Sequence, residues 1–232
     1  MQLFQEIKES VLQLFFPHIC VGCGSDLLNR HNLICMRCMD AMPQTQFELH
    51  ADNPIEKIFW GRLTIEKASS QYYFTKDSIM QRMMQQIKYK SNQELCIFLG
   101  RLMGQQLIQS NRFTDIDALV PLPLHPEKEK RRGYNQAELL CIGMAESMYL
   151  PVFTNAVIRT EHTESQTKKG RVDRWLNMEN KFEIAHEDSL KNKHLLLVDD
   201  VITTGATLEA CGSSILNVPN SKLSIATLCY SS

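Results

Sequence analysis

Leu195-Leu196-Leu197-Val198-Asp199-Asp200-Val201-Ile202-Thr203-Thr204-Gly205-Ala206-Thr207 decides how the rest of the chain is read. The apolar start reads as a buried strand, two adjacent carboxylates stand at its carboxyl end, and a Thr-Thr-Gly-Ala-Thr turn opens a helix. Backbone N–H groups in a glycine-containing turn at a helix start form an anion nest, and threonine hydroxyls add donors around a phosphomonoester. Asp199 and Asp200 would repel a phosphate at the same spot, so they address a neighbouring group. Two ribose hydroxyls fit that need, and a Mg²⁺ close by would relieve the repulsion. The loop is not of the Walker type, because no Lys follows the glycine. A plain N-capped helix after a strand is the simpler reading, and paired aspartates before Thr-Thr-Gly-x-Thr argue against it.

Working outward, the same alternation repeats. A strand is expected at His194–Val198, a helix at Ala206–Leu216 and a last strand at Leu223–Cys229. Upstream, Tyr72, Tyr73 and Phe74 fall in a strand, and Met80, Met83, Met84 and Ile87 recur at helical spacing. A second helix is expected from Gln93 to Ile108, then a strand at Ala118–Pro121, a helix at Asn135–Met148 and a strand near 152–158. Near-continuous apolar strands alternating with helices predict an α/β fold with a mostly parallel sheet flanked by helices. Met1–Phe16 reads as an amphipathic helix, and 40–58 shows no sustained period and reads as a linker. The expected organisation is a module over 1–50 and a main domain over 51–232.

Of the 232 residues, 44% are hydrophobic and 22% charged, close to globular averages, so disorder and a coiled coil are poor fits. Lys and Arg number 25 against 26 Asp and Glu, a formal charge of −1. Bulk electrostatics therefore gives no reason to expect a nucleic-acid coat or a membrane-surface binder, and any anion affinity is local. Lys128, Lys130, Arg131 and Arg132 supply such a local charge directly after the 118–121 strand, at the sheet edge where the aspartates emerge. No candidate nucleophile with a partner is evident, so any catalysis rests on positioning and charge. His50 and Trp60 read as packing or linker residues.

Eight cysteines divide into two groups. Cys20-x2-Cys23 and Cys35-x2-Cys38 offer two chelating pairs that suit one closed, structural zinc site, and Gly22 and Gly24 suit the tight turns. A redox or disulfide pair is the alternative, and His18 or His31 is an alternative ligand. Arg30 and Arg37 are the only cations between His18 and Cys38, so charge does not support DNA reading by this module. Cys96, Cys141, Cys211 and Cys229 read as small buried hydrophobes of a reduced, cytoplasmic domain. No targeting signal or membrane-spanning run is evident.

The Asp199–Thr207 segment resembles the phosphoribosyl-diphosphate (PRPP) motif of type I phosphoribosyltransferases. Pro121-Leu122-Pro123-Leu124-His125-Pro126 and Arg132-Gly133-Tyr134-Asn135-Gln136-Ala137-Glu138-Leu139-Leu140 narrow the likeness to the ComF (competence protein F) family, zinc-ribbon plus phosphoribosyltransferase-like proteins. Gln166, Arg174, Asn177 and Phe182 fall at similar spacings to that family's flexible segment, and Lys88-Tyr89 matches a Lys-Tyr pair. The resemblance implies that Asp199 and Asp200 are catalytic and hold the ribose hydroxyls. It implies that Thr203, Thr204, Gly205, Ala206 and Thr207 wrap the 5′-phosphate, and that Arg132, Gln166 and Arg174 serve the diphosphate and the flexible loop. It further implies structural zinc on Cys20, Cys23, Cys35 and Cys38, Mg²⁺ with PRPP, pentosyl transfer, and a link to DNA uptake through single-stranded DNA or DNA-processing partners. A non-catalytic adaptor that retains the phosphate loop to bind a nucleotide or single-stranded DNA is the alternative. An acceptor would lie under a hood built from 40–75 and the cysteine knot.

Overall fold

A computed structural model of the chain describes residues 19–26, 32–160 and 182–231. The first elements are α1 (Met36–Asp40), α2 (Pro54–Phe59), β1 (Lys67–Tyr73), α3 (Ile79–Tyr89), α4 (Gln93–Gln109) and β2 (Ala118–Pro121). Next come α5 (Pro126–Arg132), α6 (Gln136–Met148), β3 (Val157–Arg159), β4 (Phe182–Ile184) and α7 (Glu187–Leu190). The chain closes with β5 (His194–Ile202), α8 (Ala206–Leu216) and β6 (Lys222–Tyr230). The helix expected at Met1–Phe16 lies outside the described residues. Among the described residues no helix is long and apolar enough to cross a membrane.

Four strands make one sheet in the order β1-β6-β5-β2, and every pairing is parallel. All four carboxyl ends therefore meet at one edge, and both faces need cover. The alternation of β5 shows how that cover is shared. Leu195 and Leu197 pack with Ile55 and Phe59 of α2 and with Leu208, Cys211 and Ile215 of α8. Leu196 and Val198 pack on the other face with Met80 and Met83 of α3, Leu99 and Met103 of α4, and Leu140 and Met144 of α6. Cys20, Ile34, Cys38 and Met42 belong to this second core as well.

Helices α4 and α6 touch backbone to backbone. A Cβ on Gly143 would fall 2.0 Å from the Ile97 carbonyl oxygen, and one on Gly100 would fall 2.3 Å from that of Leu140. Only glycine permits so close an approach.

Several expectations are corrected. Residues 40–58 are not a linker: Phe47 and Ile55 are buried, Ile55 wholly so. The Tyr73 N–H donates to the Pro43 carbonyl (2.9 Å) and the Thr45 N–H to that of Gln71 (3.0 Å), so this segment covers the free edge of β1. The usable signal was local: the Asn53 side chain caps α2 by accepting from the N–H groups of Ile55 and Glu56, with Pro54 in the first turn. The strand near 152–158 does not join the sheet. Val152 makes one bridge to Leu119, after which β3 pairs antiparallel with β4 in a separate ribbon. β5 continues past Val198 to Ile202 because pairing with β6 persists, so both aspartates sit inside the strand. The basic stretch after β2 forms helix α5.

Candidate functional site

Thr203, Thr204 and Gly205 join β5 to α8. Gly205 is the N-cap of α8 at φ +74°, and no side chain caps that helix. Its first-turn N–H groups thus have no partner within the helix. Thr203, Thr204 and Thr207 are exposed around them. The turn is pressed against the end of α2, where a Cβ on Gly205 would meet Ile58 Cγ2 at 2.8 Å and Phe59 Cε1 at 3.1 Å. Arg62 fastens it there. Its Nη1 donates to the carbonyls of Ile58 (3.1 Å) and Thr204 (2.9 Å), while Nη2 pairs with Glu209 of α8. Free N–H groups, hydroxyls and a helix start are together suited to an anion.

A cleft opens beside the turn. Asp199, Asp200 and Thr207 line it together with Lys88, Lys128, Arg132 and Arg159. Lys88 Nζ lies 2.9 Å from Asp200 Oδ2, and the Asp200 N–H donates to Asp199 Oδ1 at 2.7 Å. Burial, then the Asp200 charge, pushes the Asp199 carboxyl up to about 8, against the pull of Lys88 and Arg132. Arg132 Nη1 donates to Gln136 Oε1 at 2.5 Å, and its buried Nε has no hydrogen-bond partner among the described residues. Burial lowers the Arg159 pKa, which Asp199 opposes, and its guanidinium lies 5.4 Å from the Phe182 ring centroid. The wall is held from behind: Asn135 Nδ2 donates to the Leu122 carbonyl at 3.0 Å, and the Tyr134 hydroxyl to the carbonyl of Ile87, next to Lys88.

The four clustered cysteines bring their sulfurs within 4.8 Å of one another. Cys23 and Cys35 Sγ are 3.8 Å apart. Tetrahedral zinc with bonds of about 2.3 Å has edges near that length, whereas a disulfide needs about 2.0 Å. The donor set and its spacing fit a metal such as zinc. Burial works against the Cys20 thiolate, but N–H donors of Cys35, Cys23 and Gly22 outweigh it and bring its pKa down to about 6. Burial and then the neighbouring sulfurs push Cys38 up. Gly22 has no room for a side chain, since a Cβ would meet Cys38 Sγ at 2.8 Å and Ile79 Cδ1 at 2.9 Å.

Asp199, Asp200, Thr207 and Arg132 therefore meet at one cleft, and Thr203, Thr204, Gly205 and Ala206 form the turn beside it. Gln166 and Arg174 lie outside the described residues, as do His18, Arg30 and His31. Cys96, Cys141, Cys211 and Cys229 are fully buried, as expected. Trp60 is not a packing residue, being 58% exposed, and His50 is exposed too. Sequence reasoning missed Arg62 and Arg159. Lys88 had a signal only in the Lys-Tyr pair, which did not reveal its carboxylate partner.

Residues 144–232 match the phosphoribosyl transferase domain family. The chain is similar to Competence protein F of Haemophilus influenzae, at 27% identity over 84% of this chain and 89% of that protein. It is similar to DNA utilization protein YhgH of Escherichia coli, at 26% identity over 91% of this chain and 83% of that protein. It also resembles Competence protein ComFC of Bacillus subtilis, at 27% identity over 93% of this chain and 85% of that protein.

Proposed function

We propose that this chain, which belongs to the ComF family, binds PRPP in the cleft between β5 and α5 and transfers its phosphoribosyl group. One observation carries the reading: the acid pair, the uncapped turn and four cationic side chains share one cleft edge. In this reading Asp199 and Asp200 accept hydrogen bonds from the ribose 2′ and 3′ hydroxyls. The N–H groups and hydroxyls of Thr203 through Thr207 hold the 5′-phosphate. Lys88, Lys128, Arg132 and Arg159 face the diphosphate, with Gln166 and Arg174 contributed by the segment between β3 and β4.

Transfer to an acceptor N–H forms the N–C1 bond and breaks the C1–O bond of PRPP. Diphosphate leaves with the electron pair, and the acceptor proton passes to diphosphate or water. The protein's part is to stabilise the charge that separates at C1 and on the leaving oxygen, using the fixed cations of the cleft. Mg²⁺ bound with PRPP would add charge neutralisation on the diphosphate. The four-cysteine site would hold zinc in a structural role, since four thiolates leave no open coordination position. A place in DNA uptake is part of the proposal, supported by the names of the relatives.

Calorimetry of the full chain with PRPP and Mg²⁺ tests the reading. Saturable binding is expected, weakened at least tenfold, or about 1.4 kcal/mol, by Asp199→Asn with Asp200→Asn. No heat from the unmodified chain would overturn it. Diphosphate release across a panel of bases and amines then tests transfer. Binding without release across the panel would favour the adaptor that holds a nucleotide or single-stranded DNA.

A further inference from the structure

We propose that Thr227, backed by Ser70, is a positioning residue for the acid pair: its hydroxyl donates to the Asp199 carboxylate and holds that carboxylate toward the ribose. This rests on the phosphoribosyl reading above and adds a residue to its machinery.

Residues in register on neighbouring parallel strands point to the same face. Ala68, Ile225 and Leu197 form one such row across β1, β6 and β5, all wholly buried in the core that α2 and α8 cover. Two residues further along each strand, the next row on that face is Ser70, Thr227 and Asp199. Apolar packing gives way to two hydroxyls and an acid in a single step. Thr227 is 0% exposed and Ser70 1%, yet neither side-chain oxygen has a hydrogen-bond partner among the described residues. An unpaired buried hydroxyl weakens a fold, and valine in place of Thr227 would fill nearly the same space without one. The hydroxyl therefore answers to something other than packing.

Within the row, Asp199 is the group that calls for donors. Asp200 points to the opposite face, where Lys88 meets it. Asp199 Oδ1 accepts from the Asp200 N–H at 2.7 Å, and a carboxylate has room for about four such bonds. Strands lie about 4.8 Å apart, so a threonine hydroxyl can reach across one spacing to a carboxylate in register. Ser70 can in turn donate to Thr227 Oγ1, which leaves the Thr227 proton for Asp199. Among the charged groups around Asp199, Asp200 disfavours its ionisation, whereas Lys88 of α3 and Arg132 of α5 favour it. Arg159 of β3 and Cys211 of α8 also lie within electrostatic reach. In this row β6 and β1 present only the two hydroxyls. Donation to the charged form favours that form, so they act in the same sense as the cations.

The test labels the aspartate carboxyl carbons of the full chain with ¹³C and titrates the Asp199 signal, identified by its loss in Asp199→Asn. Thr227→Val removes the donor, so the Asp199 proton should be held roughly three- to tenfold more tightly, moving the midpoint up by about half to one pH unit. Ser70→Ala should move it the same way by less, and Thr227→Ser should restore the parent midpoint. Thr227→Ala provides a second hydroxyl-free variant should valine distort the sheet. In calorimetry with PRPP and Mg²⁺, Thr227→Val should bind about fivefold more weakly than the parent near pH 7, with the gap closing towards about pH 9.5, where the carboxyl is ionised in both. A midpoint unmoved by loss of the hydroxyl, or a binding loss equal at both pH values, would overturn the positioning role. If the parent gives no heat with PRPP while the midpoint still depends on Thr227, the phosphoribosyl reading falls and the hold on Asp199 stands. If neither is seen, both fall.

Discussion

Asp199 carries the main electrostatic cost of the cleft. Burial and the adjacent Asp200 raise its pKa towards about 8, while Lys88 and Arg132 offset only part of this. A carboxyl whose pKa is higher folded than unfolded favours the folded state at low pH, and that contribution is lost as pH rises from about 4 through the folded value. Asp199→Asn, which cannot ionise, should therefore melt higher than the parent at pH 8, by roughly 3–6 °C, with the gap closing near pH 4. A gap equal at both pH values would show that ionisation is not its source. The acid pair itself was legible, because two adjacent carboxylates after an apolar run have few structural uses. Arg62 was not, since a lone arginine gives no sign of a partner 142 positions away at Thr204.

The turn between β5 and α8 is shaped by its neighbours as much as by its own residues. Gly205 and Gly133 both hold positive φ, at +74° and +81°, but only Gly205 is also crowded, with Ile58 Cγ2 at 2.8 Å from where a Cβ would stand. Gly133→Ala should cost only the conformational penalty, about 1–2 kcal/mol by urea unfolding. Gly205→Ala should cost more, about 2–4 kcal/mol, and also weaken binding of ribose 5-phosphate. Equal costs would mean that the contact with α2 yields freely. Arg62→Met leaves the turn's sequence intact but removes its fastening to Thr204 and Glu209. Calorimetry should show ribose 5-phosphate binding about tenfold weaker, with unfolding free energy lowered by less than about 2 kcal/mol. Elements with regular burial were readable: α3 from its methionine spacing, β2 and β6 from apolar runs. The 40–58 segment was not, because Phe47 and Ile55 are isolated anchors that set up no period. The length of β5 was obscured by acids that continue its backbone pairing after its apolar pattern stops.

Across the whole molecule, α3 links the two chemically distinctive sites. Its first residue, Ile79, lies where Gly22 and Cys38 close the cysteine knuckle, and near its last turn Lys88 reaches Asp200. Cys20 and Cys38 also share a core with Met80, Met83 and Val198. Loss of metal by Cys35→Ser should therefore lower a single melting transition, with the protein retaining less than one zinc per chain by metal analysis, and should weaken PRPP binding too. A separate low-temperature transition with unchanged PRPP affinity would show that the knuckle melts alone. No sequence spacing announces such a link, because it depends on which ends of a helix the sheet brings near which residues. The glycine seam between α4 and α6 has a different outcome, one that concerns time rather than affinity. Where Gly143 lies on the Ile97 carbonyl and Gly100 on that of Leu140, water has no route to the peptide groups without parting the two helices. Amide hydrogens along this seam should be among the slowest in the chain to exchange with deuterium, opening only with global unfolding. The cleft then has a wall that stays still on the timescale of ligand exchange, because Asn135 tethers that wall to the head of α6.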